Sequence, residues 1–335
     1  MAPTLSRFQG SIVVLICGLS FSFGPLTFRA VDEADAWQYL FWRCSSTAII
    51  SIIIICLAGH NPFRSVREAG RNQIIAGLFT AAMFTLFIIA LSRSNAAFVL
   101  LMQCTSPFYA AFFSRILLKE PVERKTLVAM MLSIFGVAVM VGNTLGRGDA
   151  IGTTLAVILP MFLGGYTVLV RSSPIRDPGV PVIVGGITGA IVAAAVSLPG
   201  PGLNVPLNDI MMAFIGGGVL IGLFAPLWNY AHRFVPAADV SLLLISEVIA
   251  APIWLWIWMN ETPQDLTLVG GGICLLSVTW LTRETAIDQI LVGARSSQKP
   301  QQLSKRIHGL YVGAAPIFKR PDLKKNKESK KDWSF

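Results

Sequence analysis

Two stretches of the chain decide its fold. Residues 96–121 read AAFVLLMQCTSPFYAAFFSRILLKEP and residues 235–261 read VPAADVSLLLISEVIAAPIWLWIWMNE. Each begins near small residues, continues as a long apolar run and then reaches a glutamate. About 20 apolar residues in a helix cross a hydrocarbon core of about 30 Å, so each stretch predicts one membrane-spanning helix.

Ten apolar and nearly uncharged runs of this kind follow one another along the chain. They cover residues 10–28, 36–58, 72–92, 94–114, 126–146, 150–170, 180–198, 210–231, 240–260 and 265–282. Only helices and closed barrels satisfy their backbone in lipid, and continuous apolar runs lack the alternation of a barrel strand. The sequence therefore predicts an all-α membrane protein with ten transmembrane helices.

The second half of the chain repeats the pattern of the first. A shift of about 141 residues places Thr105 on Ser246 and Glu120 on Glu261. Five helices per half is an odd number, so the two copies are expected to have opposite orientations in the membrane, as in many secondary transporters. The predicted divisions are a first five-helix repeat at 8–146, a second at 147–282 and a basic tail at 283–335.

The two quoted stretches, with the glycine-containing helices that follow them, resemble the drug/metabolite transporter superfamily, and within it the ten-helix EamA-like group. The resemblance covers about residues 8–282. It implies ten helices with both termini in the cytoplasm and a role in transport. It leaves the solute open, because such families carry amino acids, nucleosides, sugars, drugs and other metabolites.

The distribution of positive charge predicts the orientation independently. With the N-terminus in the cytoplasm, the short loops carry eleven Lys or Arg inside and three outside. The positive-inside rule then places both termini in the cytoplasm, at the inner membrane of the cell.

Residues 283–335 carry 12 Lys or Arg and 5 Asp or Glu, so the basic charge lies in a tail rather than in a nucleic-acid-binding body. This tail is expected either to contact anionic lipids or to be solvated and disordered.

Glu247 is the most unusual side chain within the apolar runs. It lies about seven residues from the cytoplasmic end of the ninth run, roughly 10 Å into the hydrocarbon. An ionisable group at that depth normally faces a cavity or a partner. Helical spacing places Trp254 on the same face of the helix, where its ring could line a binding site. Glu247 is therefore a candidate proton carrier or partner for a cationic solute, or else a packing residue that is protonated or internally hydrogen-bonded.

Arg43 is the second intramembrane charge, about seven residues into the second run from the predicted outer face. Its depth differs from that of Glu247 by roughly 10 Å, so a direct pair between the two is not expected. Arg43 could attract an anionic group of a solute, or it could extend towards the interface and pack structurally.

Several uncharged polar residues complete the candidate site for solute or protons. Gln103, Thr105, Ser106 and Tyr109 lie near mid-membrane in the fourth run, and Ser246 is the counterpart of Thr105 in the ninth. Polar side chains at equivalent positions of two inverted helices suit a central cavity, although they also join helices without touching a solute. Asn229, beside two aromatic residues near the end of the eighth run, is a further candidate.

These patterns predict a secondary transporter of a small metabolite or drug-like solute that works by alternating access. Proton coupling through Glu247 and uncoupled exchange both stay open, as does the oligomeric state. An intramembrane enzyme and a membrane receptor or scaffold are the alternatives.

No cofactor, metal site or catalytic residue is expected, because the chain lacks a nucleotide-binding fingerprint and the spacing of metal ligands. Glu120 and Glu261 are expected to be structural carboxylates at the start of the helices that follow them.

Overall fold

The computed structural model describes residues 6–119, 124–144, 149–172, 177–231, 234–235 and 237–281. Within these ranges every regular element is a helix, which confirms the all-α prediction. The basic tail and Glu120 lie outside the described residues, so the predictions made for them stay predictions.

Eight helical segments are long and apolar enough to cross a membrane. They are Phe8–Arg29, Ala36–Leu57, Arg71–Arg93, Ala96–Leu118, Arg124–Val141, Ala150–Val170, Val180–Ser197 and Leu207–Ala231. Two shorter apolar helical segments, Ser246–Met259 and Asp265–Leu281, follow them. The chain is thus a multi-pass membrane protein, while the number of ten spanning helices stays a prediction.

The spans are made of the following helices. They are α1 (Arg7–Phe21), α2 (Gly24–Arg29), α3 (Ala36–Leu57), α4 (Pro62–Arg67), α5 (Arg71–Arg93), α6 (Ala96–Met102), α7 (Ser106–Phe113), α8 (Arg124–Thr144), α9 (Ala150–Arg171), α10 (Val180–Ser197), α11 (Leu207–Phe214), α12 (Phe224–Ala231), α13 (Ala237–Met259) and α14 (Asp265–Leu281). Side-chain caps fix several starts: Ser6 and Asp35 form capping boxes, and Asn95 and Asp149 each accept a hydrogen bond from a first-turn amide.

Three spans are interrupted within their apolar length. The first breaks at Ser22 and Phe23, just before Gly24 and Pro25 start α2. A short 3-10 segment, Gln103–Thr105, separates α6 from α7, and a π-helical segment, Ile215–Leu223, separates α11 from α12. Proline lacks a backbone donor and disturbs the preceding turn, which accounts for the first break and for the change before Pro107. Such breaks in membrane helices often lie at functional positions.

Helices from the two halves of the chain pack against one another throughout. Helix α3 contacts α10 and the π-helical segment, α5 contacts α9 and α10, and α7 contacts α9. Helix α13 contacts α1 and α6, and α12 contacts α1. The predicted repeats are therefore interleaved rather than side by side as separate bundles.

Several of these contacts recur with the spacing of the sequence repeat. A methyl group added to Gly10 would lie 2.8 Å from Val235. At the corresponding positions of the other half, a methyl group added to Gly152 would lie 2.6 Å from Ser94, because Gly152 corresponds to Gly10 and Ser94 to Val235. Moreover, the thiol of Cys274 lies 3.5 Å from the carbonyl oxygen of Ser133, 141 residues earlier. The contact between Ser133 and Cys274 therefore joins a residue to its own counterpart in the repeat.

Polar contacts join the connecting segments at the end of the bundle that is predicted to face outward. The carboxylate of Asp209 accepts hydrogen bonds from the backbone amides of Asp32, Glu33 and Ala34 at 2.8–3.0 Å. Because Asp209 is in α11 and the three amides lie between α2 and α3, this contact holds the two halves together. It also satisfies backbone donors in a segment that has no regular structure.

Glu261 has a different role from the one predicted. Helix α14 begins only at Asp265, and Glu261 instead accepts a hydrogen bond at 2.7 Å from the amide of Ala96, the first residue of α6. It also pairs with Arg29 at 2.9 Å, and Arg29 donates to the carbonyl oxygen of Ser94. The carboxylate does meet a helix N-terminus, but that helix is in the other half. Sequence spacing could not reveal this partner.

At the opposite end of the bundle, Asp177 is the centre of a second set of contacts. His60 lies 2.5 Å from one of its carboxylate oxygens, and the hydroxyl of Ser65 donates to the other. His60 and Ser65 flank the start of α4, whereas Asp177 precedes α10. Both ends of the bundle therefore carry polar contacts between the two halves.

Candidate functional site

Glu247 lies where α13 of the second half meets the broken helix of the first. Helix α13 packs against α6 and against the 3-10 segment Gln103–Thr105. Glu247 is half-buried as a residue, and its carboxyl group is near enough to Cys104 to interact with it electrostatically. It forms no hydrogen bond or ion pair with another residue of the described part of the chain. An ionisable group in this setting has the freedom to exchange a proton or to bind a solute.

The other polar candidates of the fourth and ninth runs are divided between two places. Gln103, Ser106 and Ser246 are half-buried, and Gln103 belongs to the 3-10 segment that α13 contacts. Thr105 is buried, and its hydroxyl donates to the carbonyl oxygen of Met102 at 2.8 Å. Its donor is therefore used within its own helix, as is common for hydroxyls in membrane helices.

Thr105 and Tyr109 also border a cavity of about 340 Å³ between α7, α8 and α9. Its lining is mostly apolar and consists of Met102, Thr105, Phe108, Tyr109, Phe112, Phe113, Met130, Ser133, Ile134, Val137, Val157 and Met161. Small-molecule sites of this size typically combine apolar walls with a few polar groups. The cavity lies within the predicted first repeat and the first helix of the second. Glu247 is not among its lining residues.

Trp254 takes part in an aromatic stack at the break of the first span. Its ring lies 5.3 Å from that of Phe23, nearly parallel to it, and 5.4 Å from that of Trp258. The indole nitrogen donates to the hydroxyl of Ser22 at 3.1 Å. Trp254, predicted on the same helix face as Glu247, thus has partners at the break of the first span that the sequence analysis did not identify. The Gly24–Pro25 pair inside an apolar run was the available signal.

Arg43 lies deep between α3 and α5. It is 3% exposed, and its guanidinium carbon is 4.9 Å from the centre of the Phe84 ring, a cation–π distance. Its Nε and Nη1 atoms have no hydrogen-bond partner among the residues that the structure describes. Because it is enclosed by protein, the side chain does not reach the interface as a snorkelling arginine would. No ion pair between Arg43 and Glu247 occurs within the described residues.

Asn229 joins three elements at the opposite end of the bundle from Arg29. Its side-chain oxygen accepts from the hydroxyl of Tyr166 at 2.8 Å, and its side-chain nitrogen donates to the carbonyl oxygen of Pro178 at 2.9 Å. The residue is 1% exposed. The structure thus uses the side chain of Asn229, in α12, to join α9 to the segment before α10.

An intramembrane carboxylate beside broken helices, in a bundle of apolar spans, is typical of membrane transport proteins. The model of the EamA-like transporter family matches this chain twice, at residues 8–142 and 150–283. The chain therefore belongs to the EamA-like transporter family, which confirms the resemblance to the drug/metabolite transporter superfamily.

The relatives of this chain are transporters as well. It is 26% identical over 189 residues to the uncharacterized transporter YdfC of Bacillus subtilis (strain 168), an alignment that covers 52% of this chain and 60% of YdfC. It is 20% identical over 280 residues to the pseudopaline exporter CntI of Pseudomonas aeruginosa (strain UCBPP-PA14), covering 82% of this chain and 96% of that protein. Family and relatives together point to transport rather than to enzymatic activity.

A solved structure shares the fold. One crystal structure of a protein superposes on this chain with a TM-score of 0.61 at 15% sequence identity, covering 82% of this chain and 98% of the other. At this identity the likeness concerns the fold alone.

Proposed function

We propose that this protein is a secondary transporter of a small polar or amphipathic metabolite or drug-like solute, and that it works by alternating access at the inner membrane with both termini in the cytoplasm. The observation that carries the proposal is Glu247. The residue is half-buried within an apolar run, its carboxyl group is unpaired among the described residues, and it lies at a contact between the two halves. An ionisable side chain within an apolar span normally faces a cavity or a partner, and a solute path provides such a cavity.

The two halves of the proposed mechanism are inverted repeats at 8–146 and 147–282. Three observations support this arrangement: the family matches twice in tandem, the helix contacts recur in pairs, and Ser133 contacts its counterpart Cys274. Two inverted halves around a midplane site can exchange conformations, which opens the site to each side in turn. The broken helices at Ser22 and at Gln103–Thr105 supply backbone groups near that site.

A counterflow assay tests the proposed function directly. Purified protein in proteoliposomes is preloaded with unlabelled amino acids, nucleosides, sugars or organic cations, and entry of the labelled compound is followed. A transporter accumulates at least one compound above the level of empty liposomes. An intramembrane enzyme or a receptor accumulates none, and enzymatic conversion of a compound without its accumulation would overturn the proposal. Because CntI is named an exporter, uptake into inside-out vesicles and release from them are measured separately.

Replacing Glu247 by glutamine is expected to lower the counterflow rate about tenfold or more and to remove its dependence on pH. The reason is that glutamine keeps the size and polarity of the side chain but cannot carry a proton, a role that contributes about 100-fold or more where it is essential. The matched control is Glu33→Gln, because Glu33 is an exposed carboxylate in a connecting segment. A Glu247→Gln rate and pH profile equal to those of the control would exclude the role.

A further inference from the structure

Arg43 is a buried cation without a described anionic partner. The residue is 3% exposed to solvent, its guanidinium lies against the Phe84 ring, and Nε and Nη1 have no acceptors among the described residues. A guanidinium is never neutral in proteins, so it cannot avoid the cost of burial by losing its proton. An ion taken out of water in this way is normally compensated by a paired opposite charge.

The backbone and neighbours of Arg43 are held firmly in place. The hydroxyls of Ser46 and Thr47 both donate to its carbonyl oxygen, at 2.9 and 2.8 Å. The glycine-rich π-helical segment packs directly on the same carbonyl, and a methyl group added to Gly217 would lie 2.0 Å from it. Nearby, Tyr39 and Thr27 share a buried hydrogen bond at 2.8 Å, so their hydroxyls already have a partner in each other. The backbone of Arg43 is therefore fixed, while the Nε and Nη1 donors of its side chain are still available.

We propose that Arg43 binds the carboxylate of the transported solute. This inference rests on the proposed transport function and adds the chemical class of the solute to it. A single guanidinium balances a single negative charge, so a monoanionic carboxylate removes the cost of the buried cation more completely than a neutral group does. The Phe84 ring supplies one apolar wall for the solute and keeps the cation from turning away.

A stability measurement without any solute distinguishes this role from a structural one. We expect Arg43→Met to unfold in detergent at the wild-type temperature or above it, because methionine fills similar space and removes an unpaired buried charge. Arg64→Met is the control, since Arg64 is largely exposed in the connecting helix α4. If Arg43→Met fails to fold or unfolds far below this control, Arg43 is a structural residue and the inference is overturned.

A second measurement uses pairs of compounds that differ only in the carboxylate. Acetate with acetamide and benzoate with benzamide are tested for thermal stabilisation of the purified protein and for counterflow. For at least one pair we expect tenfold tighter binding or faster transport of the carboxylate. That preference should be lost in Arg43→Met, be retained in part in Arg43→Lys, and be unchanged in Arg64→Met.

The outcomes separate this inference from the proposed function. If no compound is transported but a carboxylate stabilises the protein only when Arg43 is present, the transport proposal fails and the anion site stands. If solutes are transported while carboxylates and amides behave alike, or while Arg43→Met keeps the carboxylate preference, the inference is overturned and transport stands. Absence of any carboxylate effect in both assays also overturns it.

Discussion

Gly217→Ala is expected to prevent accumulation of folded protein. Gly217 lies in the π-helical segment, where an added methyl group would be 2.0 Å from the carbonyl oxygen of Arg43 and 2.6 Å from the hydroxyl of Ser46. The nearest obstacle is a backbone atom of a neighbouring buried helix, which cannot rotate away as a side-chain tip can. Overpacking of this kind costs about 3 kcal/mol, and more where the backbone must move.

Gly272→Ala is the matched control. Gly272 is also a helical glycine, in α14, but nothing lies within 4 Å of the position that its methyl group would take. Alanine is favoured over glycine in a helix by about 1 kcal/mol, so this variant should be as stable as the wild type or slightly more so. The yield of monodisperse protein and the midpoint of thermal unfolding measure both changes. Equal midpoints for the two variants would mean that α3 and the π-helical segment are less closely packed than described.

The contact between Arg29 and Glu261 is the basis of the second large expected effect. Glu261 receives hydrogen bonds from Arg29 and from the amide of Ala96, and both charged side chains are mostly buried, at 26% and 19% exposure. Glu261→Gln leaves Arg29 without its counter-charge at an enclosed position. We expect a loss of about 2 kcal/mol in the free energy of unfolding, below the cost for a fully buried pair.

A double-mutant cycle isolates the interaction itself. Arg29→Gln, Glu261→Gln and the double variant are compared by thermal unfolding, with an expected coupling energy of about 2 kcal/mol. The control is the same cycle on Arg64 and Glu68, an exposed pair on α4 for which about 0.5 kcal/mol or less is expected. Similar coupling energies in the two cycles would contradict the role of Glu261. Because the pair joins the two halves at one end, the same variants should also favour opening of that end during transport.

The sequence was sufficient to predict the helical class, the membrane and the family. All ten apolar runs contain helical segments, because about 20 apolar residues in succession have few other stable states in lipid. These properties depend on composition and on the 1.5 Å rise alone.

The sequence could not predict contacts that depend on how each helix is rotated about its own axis and on partners that are distant in the chain. Glu261 was assigned to the helix after it, whereas its partner amide belongs to Ala96 in the other half. Likewise, nothing local to Arg43 indicates that Phe84 lies over it. The hydrogen bonds of Asn229 depend on Tyr166 and Pro178, which are brought together only by packing.

The contact between Cys274 and Ser133 has a consequence for which substitutions the two helices can accept. The thiol of Cys274 meets the backbone carbonyl oxygen of Ser133 and not its side chain, so a substitution at residue 133 keeps the acceptor in place, whereas a substitution at residue 274 changes the contact directly. Cys274 is fully buried, and a larger side chain there would have to displace the helix that carries Ser133.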